Sequence, residues 1–220
     1  SEIADPKTGE AVGSISTTGR ARPEFPQKGI NLLTEGYKRF PHRLDLGMGL
    51  AYMLREENKQ TECFEVLETV LANSAKHGSE LRWKDGGPLP EPAEVYIPEL
   101  MNGYAAGFYR LESPEGDEMS RRLCESVIAI YPDHPYAYNI LAALSMAKKD
   151  DKSAVEYLRT GLSKAPDDTL MMLNLASAYR RLGDNAQAVA TYRLILTKSP
   201  PEDIKSECEA GIRELGEGKS

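Results

Sequence analysis

The chain has 220 residues, of which 40% are hydrophobic and 28% are charged, a composition typical of a folded protein rather than a disordered or low-complexity one. Its formal net charge of -7 would on average repel a phosphate backbone, which argues against nucleic acid as a partner. No stretch reaches the ~18 uninterrupted apolar residues that a membrane-spanning helix needs.

The first predicted element is a non-helical extension over residues 1–28. Residues 5–10, Asp-Pro-Lys-Thr-Gly-Glu, carry turn chemistry between two short β-prone pieces, which favours a small hairpin, with an unstructured tail as the alternative. No charged-then-apolar leader stands at Ser1. The sequence leaves two locations open, the cytoplasm or, if a leader has been removed upstream of Ser1, the periplasm.

Residues 29–75 are predicted to form one single helix, which ends at Pro41, followed by a degenerate helix pair over residues 42–75. One face of the single helix is apolar and has no preceding helix to cover it: Leu32, Leu33, Tyr37 and Phe40. Because the ends of helical stacks need capping, we expect either residues 1–28 or another chain to cover this face. A homodimer through Leu33, Tyr37 and Phe40 is one form that such a cover takes.

Residues 76–97 contain Trp83, Gly86, Gly87 and several prolines, so they cannot be helical throughout. They are predicted to form an inserted surface loop. Such a loop either serves a function or is held against the helices by Trp83, and we favour the second interpretation.

Residues 98–202 contain three units that align without a gap at a shift of 34 residues: 101–134, 135–168 and 169–202. Each unit has the apolar spacing of two amphipathic helices, and each ends near a proline. A last amphipathic helix, residues 203–216, is predicted to cap the stack.

The apolar pattern of the last unit resembles the signature of the tetratricopeptide repeat family: Met172, Leu175-Ala176, Tyr179, Ala188, Tyr192 and Pro200. The unit boundaries at Phe40-Pro41 and Tyr131-Pro132 are also similar to those of bacterial members of the family. The resemblance implies an all-α fold, a right-handed superhelical solenoid of helix-turn-helix repeats, here with a non-helical N-terminal extension. Small residues are expected where the helices approach closely, at Ala142, Ala154, Ala176 and Ala188.

The residues that usually carry chemistry are scattered. His42, His77 and His134 lack the spacing of a helical metal site, and we interpret each as a solvated loop residue. The three cysteines, Cys63, Cys124 and Cys208, have neither disulfide nor metal-ligand spacing and are interpreted as packing residues. The sequence therefore predicts no catalytic residue, no metal site and no cofactor.

In the family, the first helices of successive units line a concave face that holds ligands. Carried over by phase, this face presents ten candidate residues: Asn102, Tyr109, Tyr136, Asn139, Met146, Leu170, Leu173, Asn174, Ser177 and Arg180. Ala105 and Ala143 fall on the same face. Its apolar members suit adaptable contact, while Asn139, Asn174 and Arg180 suit a peptide backbone or a carboxylate.

The leading hypothesis is a noncatalytic interaction module that binds a protein or peptide through the concave face. The basic pairs with which chaperone-binding members grip a terminal carboxylate are missing, which argues against that role. Two alternatives remain open: a self-associating structural unit that uses the face of the N-terminal helix, and a regulatory or substrate-holding domain of a larger assembly.

Overall fold

The computed structural model describes residues 2–4, 11–14 and 24–217. Two short strands, β1 (Glu2–Ala4) and β2 (Ala11–Ser14), pair in antiparallel fashion, with Glu2 opposite Ser14. The predicted turn at residues 5–10 lies outside the described residues, and so does most of the segment that was expected to cover the first helix.

Ten α-helices follow among the described residues, and they are, in chain order, α1 (Glu24–Arg39), α2 (Leu44–Glu56), α3 (Gln60–His77), α4 (Ala93–Tyr109), α5 (Pro114–Ile130), α6 (Tyr136–Ala147), α7 (Asp151–Lys164), α8 (Thr169–Arg181), α9 (Asn185–Thr197) and α10 (Glu202–Glu217). Helices α2 to α9 form four pairs: α2 with α3, α4 with α5, α6 with α7, and α8 with α9. Each helix packs most closely against the other member of its pair, and successive pairs lie side by side. The predicted all-α stack of helix pairs is confirmed.

Close approach within the stack depends on small residues at the repeated positions. Ala142, Ala154, Ala176 and Ala188 are all fully buried, as predicted. A larger side chain at any of them would have to displace its neighbours, because protein interiors are packed without spare volume.

The turns inside the four pairs share one backbone feature. The chain takes a positive φ at one residue of each turn: Asn58, Glu112, Lys149 and Gly183. In the last two turns the next residue caps the second helix, since Asp150 accepts a hydrogen bond from Ser153 N at 3.2 Å and Asp184 accepts one from Gln187 N at 3.1 Å.

The insertion is shorter than predicted, because α3 extends to His77 and α4 begins at Ala93 and continues through Pro98. Its residues are held against the helices. Arg82 pairs with Arg43 in a parallel bridge, Leu81 is buried, and the Trp83 ring meets the Tyr96 ring edge-on with centroids 5.2 Å apart. These contacts favour the interpretation that the insertion is anchored to the stack.

The unpartnered face predicted for the first helix is smaller than expected. Tyr37 is only 6% exposed, and its hydroxyl accepts a hydrogen bond from Asn73 Nδ2 at 2.9 Å, because the ring packs between α2 and α3. The prediction that Tyr37 contacts another chain is therefore wrong. Leu32 at 76% and Phe40 at 42% remain exposed.

The C-terminal end of the stack is closed by α10. Cys208 is buried, and Gly211 lies so close to the ring of Tyr192 that a Cβ would stand 2.6 Å from it. Polar residues on the outer side of α10 are exposed, as expected of a capping helix.

Candidate functional site

The candidate site is the face formed by α4, α6 and α8, the first helices of the three regular pairs. The middle helix, α6, packs against both α4 and α8. α2 departs from this row, and α3 packs more against α5 than against α4. The continuous face therefore spans three helices.

The centre of this face carries no charge, since residues 136–147, the whole of α6, contain no acidic or basic side chain. Tyr136 is 46% exposed, and Ile140, Ala143 and Met146 follow it half-buried at successive turns. On α8, Leu170 is 64% exposed. A charged group of a partner would lose its water on this strip without gaining a counter-ion, so the strip favours uncharged groups.

Two asparagines bridge the helices beside this strip. Asn174 Nδ2 donates a hydrogen bond to Asn139 Oδ1 at 2.8 Å, and both side chains are half-buried. The bond leaves the amide N–H groups of Asn139 and the carbonyl oxygen of Asn174 without another partner among residues 26–216. Flipping both amides reverses the bond and still leaves one donor and one acceptor. This pair matches the C=O and N–H groups of an extended peptide.

At the other edge of the face, Asn102 lies beside His134. Asn102 Nδ2 and His134 Nδ1 are 3.3 Å apart, and the His134 ring meets the Tyr136 ring edge-on with centroids 5.4 Å apart. His134 is buried, so the prediction that it is a solvated loop residue is wrong. The cause is the short connection between α5 and α6, where His134 N donates to Tyr131 O and the ring turns inwards. Burial lowers the pKa of His134.

The C-terminal part of α8 is tied to the capping helix. Arg180 Nη1 lies 3.3 Å from Glu214 Oε2 on α10, and both side chains are largely exposed. Such a pair contributes at most about 1 kcal/mol and dissociates easily. Ser177, one turn earlier, is half-buried, as is Tyr109 at the end of α4.

Two residues placed on the concave face by phase alone belong to the core. Leu173 is only 8% exposed and packs in one cluster with Ala176, Tyr192 and Cys208. Ala105 is buried beneath α5, where Ser120 Oγ donates to Ala105 O at 2.8 Å. Ile140 was missed, although its spacing of four residues from Tyr136 is the ordinary signal of a shared helix face.

Within residues 24–217, no cluster of three or more His, Cys, Asp or Glu side chains has the arrangement of a metal site. All three cysteines are buried, as predicted, and burial raises the pKa of Cys63 to about 11 and that of Cys124 to about 12. Thiols of this kind are unreactive near neutral pH. None of the described helices is both long and apolar enough to cross a bilayer.

Comparison with known proteins agrees with this architecture. Residues 171–201 match the family described as Tetratricopeptide repeat. The fold is similar to that of YrrB, whose structure is described as a TPR protein with an unusual peptide-binding site, with a TM-score of 0.56 and 10% identity over 86% of this chain and 84% of that chain. It is also similar to MamA, with a TM-score of 0.54 and 15% identity over 81% of this chain and 89% of that one. Residues 171–201 thus match one unit of the tetratricopeptide repeat family, and the stacked helix pairs share the fold of these solved structures.

Proposed function

We propose that this protein is a noncatalytic interaction module that binds an extended, largely uncharged segment of another protein on the face of α4, α6 and α8. Tetratricopeptide repeats form a protein-interaction scaffold, and the peptide-binding site described for YrrB supports this use of the fold.

The observation that carries the proposal is the Asn139–Asn174 pair. Because the two amides bind each other at 2.8 Å, they are held in place before a ligand arrives, which reduces the entropy lost on binding. Their unused donor and acceptor bind the peptide backbone, while Tyr136, Ile140 and Leu170 contact apolar side chains of the partner.

The test uses a peptide library displayed on phage, selected against the full chain, followed by calorimetry with the selected peptides. We expect the selected peptides to be rich in apolar residues and to carry few charges. Asn174→Ala should weaken their binding about fivefold to tenfold, because one hydrogen bond to the backbone is lost and its partner amide is released. Leu170→Ala should weaken binding by a similar factor.

The matched control is Asn31→Ala, which removes an exposed asparagine from α1, away from the proposed face. This variant should bind the selected peptides as the unchanged protein does. Affinities that stay the same in both Asn174→Ala and Leu170→Ala would place the binding site elsewhere. Selection of strongly charged peptides would contradict the proposed chemistry.

A second candidate function is self-association through α1. It is favoured by the exposure of Leu32 on α1 and of Phe40 just after it, since no helix precedes α1 among the described residues. Light scattering over a range of protein concentrations tests it: a dimer that dissociates in Leu32→Glu supports this function, and a strict monomer at high concentration rejects it.

A further inference from the structure

An arginine lies at the packed boundary, or seam, between the last two repeat units, 135–168 and 169–202. Arg181, the final residue of α8, reaches back to the preceding unit. Its Nε lies 2.7 Å from Asp151 Oδ1 at the start of α7, and its Nη2 donates a hydrogen bond to Met146 O at 2.6 Å. The guanidinium group of Arg181 thus fills a notch between the C-terminal end of α8 and the turn that joins α6 to α7.

The same notch occurs one unit earlier without its arginine. At a shift of 34 residues, Asp151 corresponds to Asp117, and Arg181 corresponds to Ala147. Asp117 and Ala147 both line a cavity of about 570 Å³. The acidic side of the notch is therefore kept, while the basic side chain that would fill it is missing.

Two features of this unit keep the notch open. Ala147 has no side chain beyond Cβ, and α4 ends at Tyr109, about one turn earlier than the corresponding end of α6. Among the described residues, none has a basic nitrogen within 4 Å of the Asp117 carboxylate. Three other charged residues also line the cavity, Arg110, Glu112 and Lys148, and all three are exposed.

We propose that this notch binds an arginine side chain of the partner protein, with the guanidinium group in the place that Arg181 takes at the next seam. Asp117 accepts its hydrogen bonds, and the ring of Tyr109, which also lines the cavity, offers a face on which the planar group stacks. The seam closed by Arg181 shows which chemistry fits the notch.

This inference names one side chain of the partner and in that respect rests on the proposed function. Tyr109 lies at the end of α4, on the face proposed to hold the peptide, so a segment bound there can place an arginine in the notch. The binding itself needs no peptide on the face.

The probe is N-acetyl-L-arginine amide, titrated into the isotope-labelled full chain and followed by two-dimensional NMR. We expect saturable shifts at Asp117 and Ala147 with a dissociation constant of about 1 mM, the range for one charge-assisted contact with a small ligand. N-acetyl-L-citrulline amide has nearly the same shape without the charge and should cause no saturable shift. Equal responses to both compounds would overturn the proposal.

Three variants locate the binding. Asp117→Asn should weaken the arginine probe about tenfold. Ala147→Arg should fill the notch from within, abolish probe binding and raise the unfolding midpoint by about 2 °C. Arg181→Ala should open a second notch beside Asp151 and add a second set of shifts there. Unchanged probe binding in Asp117→Asn or in Ala147→Arg would each refute the notch.

The inference and the proposed function fail separately. If selected peptides respond to Asn174→Ala but the arginine probe does not bind, the notch is wrong and the peptide face stands. If the probe binds at Asp117 but Asn174→Ala leaves the peptide affinity unchanged, the proposed notch is supported and the proposed peptide face is wrong.

Discussion

The C-terminal and N-terminal halves of the stack build similar helix pairs with different seams. In residues 133–202 the contacts between units recur with the repeat: Lys164 lies 2.7 Å from Asp133, and the equivalent pair, Lys198 with Asp167, follows 34 residues later. Residues 24–132 show single contacts instead. Arg122 bonds to Glu68 at 2.7 Å, and its guanidinium lies 4.8 Å from the centroid of the Phe64 ring.

The junction between α2 and α4 shows how far the N-terminal half departs from the pattern. Arg55 lies over the rings of both Tyr52 and Tyr104, at 5.3 and 5.2 Å from their centroids. The insertion adds Leu81 and the bridge at Arg82. A periodic seam needs only a small residue at a fixed interval, whereas an irregular seam needs particular side chains that no interval predicts.

The largest expected effect tests whether the insertion stabilises the irregular half. Leu81→Ala should lower the free energy of unfolding by about 3 kcal/mol, because Leu81 is almost fully buried and its removal leaves a cavity. Urea denaturation measures the change. Leu194→Ala, at a half-exposed position on α9, should cost less than about 1 kcal/mol. If the two variants cost the same, the insertion does not hold the junction together.

The next effect tests the periodic seam. Ala176→Leu should destabilise the protein by about 2 kcal/mol, because the added atoms must displace close neighbours of a fully buried residue. Ala190→Leu, at an exposed site on α9, is the control and should change stability by less than about 0.5 kcal/mol. A tolerated Ala176→Leu would show that the seam is looser than the alanine spacing indicates.

A smaller, stabilising effect is expected in the turns. Lys149 has φ of 63°, whereas its equivalent in the next unit is Gly183 with φ of 77°. Lys149→Gly should stabilise the protein by about 0.5 kcal/mol, the relief of left-handed strain exceeding the extra entropy of the unfolded chain. Lys148→Gly, at φ of -83°, should destabilise it instead. Thermal unfolding of both variants distinguishes a strained turn from a general effect of glycine.

The smallest effect concerns His134, which lies in the connection between α5 and α6. Burial lowers its pKa from the ordinary value of 6.5, with Glu99 partly opposing the shift. The unfolded chain therefore binds the proton more readily, so this contribution to stability is complete above pH 6.5 and is lost as pH falls below it. His134→Gln should lose less stability between pH 7.5 and 5.5 in urea denaturation. Equal losses in the two proteins would show that His134 does not titrate differently on folding.

Part of the candidate site was predictable from residue spacing. The helical phase places Tyr136, Asn139, Leu170 and Asn174 on one face, because side chains three and four residues apart share a side of a helix. It could not exclude Leu173, whose burial depends on how α8 packs against α9 and α10. Nor could it predict the Asn139–Asn174 bond, because its two partners lie 35 residues apart on different helices.

The sequence by itself determined the helix pairs, the 34-residue interval, the small residues where helices approach closely and the burial of the three cysteines. These features depend on periodicity and composition, which act along a single chain. Only the tertiary structure decided that Tyr37 and His134 are buried, that α4 continues through Pro98 and that Asp117 faces an open notch. Each of these depends on what a neighbouring helix places opposite the residue, and helix packing rather than local spacing settles that.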